Sequence, residues 1–223
     1  MSRVEVAFHR EVAQVALEVA NKYGFALGGG LAWISHGLVR RPTEDVDLFS
    51  DTDGAAGAAA DEVRAALLHA GFAVRDEEPG EDLADLFYGF DREMREFQVL
   101  RDGCSVVLSL GRLNRLRSPV VMDIGPVLHV DDLVASKVAA LVNRREVRDY
   151  VDAAAALDHY SLDRLIELAH RHDPGLEPDD VVEVGRHLER LDDALFARYG
   201  LGTAQVAALR AKLAGWPRRA WSW

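Results

Sequence analysis

Apolar residues at Val4, Phe8, Val12, Val15 and Val19 recur with a helical period, and Gly24 follows as a stop, so the chain opens with a predicted helix over residues 4–23. Phe25 to Leu27 is a short apolar run, read as a buried strand, and it leads into three glycines, Gly28, Gly29 and Gly30. Leu31 to Leu38 reads as a short helix. VRRPTE (39–44) is a loop, because Pro42 disfavours helix at Arg41. At Asp45-Val46-Asp47-Leu48 the pattern becomes strict alternation, a strand whose side chains point in turn to its two faces and which runs on to Ser50. DTDG (51–54) is a turn, and Ala55 to Ala70 is an amphipathic helix stopped by Gly71. Further strands are predicted at 72–74, 86–90, 94–100 and 105–110. Arg101-Asp102-Gly103 between the last two is a hairpin signal, and the acidic stretch at 75–85 reads as solvated surface.

From Asp131 the pattern changes. DDLVASKVAALVNRREVRDYVDAAAAL (131–157) is made of helix formers, with two acids at its N-terminus, where acids cap best. The remainder, 161–223, is helical in pattern, with Ser161 and Thr203 as N-caps and breaks at Pro174-Gly175 and Leu201-Gly202. The fold class expected is α/β (α+β): a mixed sheet with helices over residues 1–126, then an all-helical domain over 127–223.

Chemistry concentrates where the alternation begins. Asp45 and Asp47 project from one face of their strand, about 6–7 Å apart along it. Two such carboxylates repel unless a cation or proton lies between them. Mg²⁺ suits them, since it takes one or two carboxylates and completes its shell with water and substrate phosphates. The glycines suit the other half of such a site: lacking Cβ atoms, their backbone approaches a ligand closely and their N–H groups can cradle phosphate oxygens. Each feature alone is common, a glycine run as a turn and Asp-x-Asp on a surface; the combination is sharper. Thr43 is either a turn residue or a hydroxyl contact to a phosphate oxygen. Asp51 and Asp53 read as turn residues and His36 as a packing residue. Gly111 to Arg117, GRLNRLR, is a solvated loop or a basic lip for a polyanion.

Downstream, Lys137, Arg144, Arg148 and Asp152 fall within about 80° of each other if 131–157 is one continuous helix. Leu133, Leu141 and Val151 share that face, so charges interrupt an apolar stripe. Charges so placed must be paired or bind a ligand. An ion-pair network within the helix is the competing reading, since Arg148 and Asp152 are i,i+4.

The strings G-G-x-A … R-x-T-x-D-x-D-x-F (Gly29, Gly30, Ala32, Arg41, Thr43, Asp45, Asp47, Phe49) and K-x-x-A-L-x-x-R … R-D-x-x-D (Lys137, Ala140, Leu141, Arg144, Arg148, Asp149, Asp152) resemble the motifs of AbiEii/AbiGii (MenT-like) toxins, a branch of the polymerase-beta-like nucleotidyltransferases. The motifs span about residues 26 to 152. The resemblance implies transfer of a nucleotide from a nucleoside triphosphate, with Mg²⁺ on Asp45 and Asp47. It implies substrate contacts from Gly29, Gly30, Arg41, Thr43, Arg144 and Arg148, and catalytic roles for Lys137 and Asp152. It also implies an RNA acceptor, a tRNA 3′ end in the MenT-like members, and a cognate antitoxin as partner. The superfamily usually takes a third metal-site carboxylate from a neighbouring strand. The predicted strand Val106–Leu110 has none, which leaves Asp123 or Asp152 as candidates. Two rival readings share the fold: an adenylyltransferase acting on a small hydroxyl compound of the aminoglycoside type, and a binding module without catalytic activity.

Bulk properties narrow the setting. The 223 residues are 49% hydrophobic and 28% charged, as in an ordinary soluble globular protein. A net charge of −11 argues against general coating of nucleic acid, and DNA is not an expected partner. The single cysteine, Cys104, forms no internal disulfide and points to a reducing cytoplasm. No apolar run is long enough to cross a bilayer, and the N-terminus has no signal-peptide pattern. His170-x-His172 is not helical metal spacing. The tail WPRRAWSW is read as tryptophans packing on the helical domain, with stacking on RNA as the alternative.

Overall fold

The computed structural model describes residues 3–39, 43–77, 94–219 and 221–222. Arg41, the strand expected at 86–90 and most of the acidic stretch before it lie outside the described residues. The chain divides into two compact units, one of Met1–Gly37 with Pro42–Val130, the other of Leu38–Arg41 with Asp131–Trp223.

The first unit is built on a mixed sheet, seven-stranded among the described residues. Its strands are β1 (Ala26–Leu27), β2 (Asp45–Ser50), β3 (Ala73–Glu77), β4 (Arg95–Arg101), β5 (Cys104–Arg112), β6 (Val120–Met122) and β7 (Gly125–Val127), in the order β3-β4-β5-β2-β1-β7-β6. The β4–β5 hairpin closes through Asp102 and Gly103, both at positive φ, as a two-residue turn matched to strand twist requires. The strand β2 lies in the middle. It runs parallel to β5 over six residue pairs, Asp45↔Val107 to Ser50↔Arg112, and antiparallel to β1.

Strand β2 is buried on alternate residues. Val46, Leu48 and Ser50 are buried, while Asp45, Asp47 and Phe49 are half-buried. The apolar face joins Leu108 of β5 and Phe97 of β4 and is covered by α1 (Arg3–Ala20) and α3 (Ala55–His69). On that face Arg101 of β4 bonds Glu11 of α1, and Arg64 of α3 lies over the Phe97 ring. Helix α1 buries Phe8, Val12, Ala16, Leu17 and Ala20, leaving Val15 and Val19 half-buried. The buried stripe is therefore rotated from the valine period towards its alanines, whose small side chains allow a close approach to the sheet. On the opposite face, α2 (Gly29–Ser35) follows β1 directly.

The second unit is helical. It comprises α4 (Val130–Arg144), α5 (Val147–Ala156), α6 (Leu162–His172), α7 (Pro178–Arg190) and α8 (Thr203–Lys212), with 3₁₀ turns at Asp193–Tyr199 and Leu213–Gly215. Ser161 caps α6 by accepting from Arg164 N. The cap of α8 falls one residue before the expected Thr203: it is Gly202, whose N–H donates to the Gln205 side chain at 2.8 Å. Trp216 is buried and donates its indole N–H to Val181 O at 2.7 Å. A Cβ on Gly185 of α7 would stand 2.4 Å from Pro217 O, so the glycine lets the tail lie against the helix. Trp216 thus packs on the helical unit. No described helix is long and apolar enough to cross a membrane.

Candidate active site

The glycine run meets the acid-bearing face of β2. Gly28 is extended and donates its N–H to Asp47 O at 2.8 Å, tying the end of β1 to β2. A Cβ at Gly28 would enter the Phe49 ring, 2.4 Å from Cδ2. Gly29, the first residue of α2, has φ +55°, and a Cβ there would stand 1.7 Å from Asp47 Oδ2. Both positions exclude a side chain, the second on conformation as well as on space. The Asp47 carboxylate is consequently held against the backbone at the start of α2.

Asp45 is oriented from its own loop. Thr43, buried, donates its hydroxyl to Asp45 Oδ1 at 2.8 Å. The one proton of the threonine is engaged there, and its oxygen keeps lone pairs for a further partner. His9 of α1 is buried near this end of β2. Burial pulls its pKa down, while the charges of Asp45 and Glu5 pull it up, and burial prevails. Its Nδ1 is buried with no hydrogen-bond partner among the described residues. Sequence reading passed over His9; its one signal was a polar residue beside Phe8 on the buried stripe.

A second omission lies across the sheet. Asp47 is paired in register with Ser109 of β5, and Ser109 with Glu96 of β4. Paired residues share a face, so the three stand in a row on the Asp45–Asp47 side. Ser109 and Glu96 are both buried, and the serine hydroxyl donates to Glu96 Oε1 at 3.1 Å. The strand beside Asp-x-Asp does lack an acid, as its sequence says; the acid stands one strand further on.

In the helical unit the expected continuous helix is broken. The first segment, α4, ends at Arg144; Arg145 adopts φ +58°, Glu146 is extended, and α5 starts at Val147. Arg144 closes the break. Its Nε donates to Asp149 Oδ2 at 2.7 Å and its Nη2 to Asp149 Oδ1 at 2.9 Å, a two-pronged bond to a fully buried carboxylate. Burial alone would lower the Arg144 pKa; Asp149 overrides it and the guanidinium is raised. Arg148 pairs with Glu146 at 2.8 Å. The argument from a single helical face therefore fails, yet Lys137 and Asp152 still meet, with Nζ 3.6 Å from Oδ2 and the aspartate fully buried.

Residues 13–199 match the family model described as "Nucleotidyl transferase AbiEii toxin, Type IV TA system". The chain belongs to the AbiEii nucleotidyltransferase toxin family. The protein is thus a nucleotidyltransferase toxin, of a family that works in toxin–antitoxin pairs. No curated protein matches it. Among solved structures it is similar to MenT4, a nucleotidyltransferase toxin from Mycobacterium tuberculosis H37Rv, at 15% identity and a TM-score of 0.59, over 94% of this chain and 83% of that one. It is likewise similar to JHP933 from Helicobacter pylori, at 13% identity and a TM-score of 0.57, over 96% of this chain and 92% of that one. At such identities the likeness is one of fold, a mixed α/β architecture.

An AbiEii-family enzyme implies a divalent cation beside its nucleotide. The donors fit a lightly ligated one: two carboxylates on one face of β2, Asp45 bonded by Thr43 and Asp47 lying against the Gly29 backbone. Two carboxylates suit an ion that completes its shell with substrate phosphates and water. Asp123 does not join this pair. It lies in the β6–β7 turn at the far edge of the sheet, exposed, with its carboxylate 2.7 Å from Arg10. Its place as a metal ligand is corrected on that ground. The basic lip is also altered. Arg112 pairs with Asp53 at 2.8 Å, and Arg115 pairs with Asp51 and donates to Gly24 O at 3.0 Å. The DTDG acids and the arginines neutralise each other and stitch two loops together.

Proposed function

We propose that this toxin transfers a nucleoside monophosphate from a nucleoside triphosphate to RNA, with a tRNA 3′ end as acceptor, in a Mg²⁺-dependent reaction. The observation that carries the reading is the placing of Asp45 and Asp47 on one face of β2, Asp45 bonded by Thr43 and Asp47 against the glycine run. Mg²⁺, when bound, would supply positive charge against the negative charge that develops as the α-phosphate is attacked. Asp45 and Asp47 would hold it, Thr43 orients Asp45 through its hydroxyl, and Gly29 and Gly30 would let phosphates approach the backbone. Lys137 offers a point charge to the triphosphate. Asp152, buried beside it, holds that ammonium and takes part in the same reaction. Arg144 and Arg148 act at one remove, shaping the turn on which Asp152 is carried.

The antitoxin partner follows from the type IV toxin–antitoxin family and the RNA acceptor from the motif resemblance, and both extend to this chain as part of the proposal. The test is incubation of pure protein with each labelled nucleoside triphosphate, Mg²⁺ and either total RNA or an aminoglycoside, beside Asp47→Asn. Label on tRNA that is lost in the variant and in EDTA supports the reading. Label confined to a small hydroxyl compound replaces RNA with the antibiotic-type acceptor. No transfer to any acceptor overturns it.

A further inference from the structure

From the row Asp47–Ser109–Glu96 we infer that Ser109 and Glu96 form the route by which the acceptor hydroxyl loses its proton. The inference rests on the transfer reaction proposed above and adds two residues to it. A hydroxyl that attacks phosphorus must give up its proton, and a base placed for that purpose contributes roughly 100-fold or more. Asp45 and Asp47 would be weaker bases for that purpose when holding a cation, because its positive charge lowers their affinity for a proton.

Ser109 occupies the place beside Asp47 on the same face, one strand away. Its hydroxyl has one proton, and that proton is directed at Glu96 Oε1, 3.1 Å away. The serine oxygen therefore keeps its lone pairs for an incoming donor. Glu96 stands a further strand away, is buried, and accepts the serine hydroxyl. It is arranged as a proton acceptor behind a relay.

The step balances. The acceptor oxygen forms a bond to the α-phosphorus as the bond from that phosphorus to the bridging oxygen of pyrophosphate breaks. The acceptor proton passes to Ser109 Oγ while the serine proton passes to Glu96. Pyrophosphate leaves with the electron pair, and Glu96 later returns its proton to solvent. Ser109 is the catalytic residue here, and Glu96 acts through it.

The experiment uses the full chain with Ser109→Ala, Glu96→Gln and the double variant. Glutamine keeps the size of Glu96 and an oxygen for the serine to bond, but it does not take a proton. Each single variant is expected to lower kcat by roughly 100-fold, with KM for the nucleotide within a factor of about three and thermal unfolding near wild type. The double variant is expected to be no worse than either single one, because both changes cut the same route. In mixed light and heavy water the wild-type rate should fall along a curve, as for two protons in motion, and the curvature should vanish in Ser109→Ala. Binding of a fluorescent nucleotide with Mn²⁺ should be unchanged in all three. Variants that retain kcat, or losses that multiply in the double variant, overturn the relay while leaving the transfer reaction standing. Losses that follow a raised KM or weakened nucleotide binding also overturn it, in favour of a structural role. A wild type that transfers nothing removes both.

Discussion

The carboxylate of Asp47 occupies the space that a side chain on Gly29 would need, with Oδ2 only 1.7 Å from the Cβ position. The glycine motif and the acidic motif are thus one interlocked feature. Substituting Gly29 by alanine is expected to displace Asp47 and cost at least 10-fold in transfer activity, beyond about 1 kcal/mol of strain from its positive φ. Gly37 separates the two effects: its φ is +74°, and nothing lies within 4 Å of its Cβ position. Gly37→Ala should lower thermal stability by a similar strain and leave specific activity near wild type. Equal activity losses in the two variants would refute the interlock.

Thr43 positions Asp45, and this is testable apart from any contact with substrate. Thr43→Val keeps the shape and removes the donor to Asp45 Oδ1. A hydrogen bond to a charged group is worth about 1.5–3 kcal/mol, so activity at saturating nucleotide should fall about 10- to 100-fold. Thr43→Ser, which retains the hydroxyl, should recover most of it. If valine and serine behave alike, Thr43 does not act through Asp45.

The parts of this fold legible in the sequence were those with a local signal. Alternation at Asp45–Ser50 marked both the strand and the shared face of the two acids, and Asp102-Gly103 marked the hairpin. Register and strand order leave no local period, so nothing in the sequence placed Glu96 behind Ser109 or Ser109 beside Asp47. The helix across 131–157 misled because Arg145 is an ordinary helix former by propensity; in the structure it takes the left-handed conformation at the end of α4, its N–H donating to Leu141 O at 3.1 Å. Asp123 looked like a strand-end acid, and only three-dimensional packing showed Arg10 beside it.

Stability should decline as pH falls below neutrality, through histidines that are buried neutral. His9 and His172 both have pKa values lowered chiefly by burial, the latter against the opposing pull of Asp132 and Asp173. In the unfolded chain they titrate near the ordinary value, so below about pH 6.5 the unfolded state binds more protons than the folded one. Stability then rises with pH through that window and levels off above it. His172→Gln should flatten the slope of Tm against pH between about 5 and 6.5. A wild-type Tm that rises on acidification through that range would contradict the assignment.

The two ion pairs of the helical unit should respond differently to truncation. Arg144 grips Asp149 with two short hydrogen bonds and holds α4 to α5 across the break. Removing it strands a fully buried carboxylate, at a cost of about 3–5 kcal/mol. Arg144→Ala should therefore unfold early, by more than 10 °C for a domain of this size, and its activity loss should track the unfolded fraction. Lys137 is different. Its ammonium is 3.6 Å from Asp152, beyond a short hydrogen bond, so it is less firmly bound to its partner. Lys137→Met keeps the apolar stem and removes the charge. That variant should stay folded at assay temperature and lose most of its transfer activity, with weaker nucleotide binding. Measuring thermal unfolding and transfer rate on both variants decides the matter: an active Lys137→Met that unfolds as early as Arg144→Ala would make the Lys137–Asp152 pair a structural one and remove both residues from the reaction.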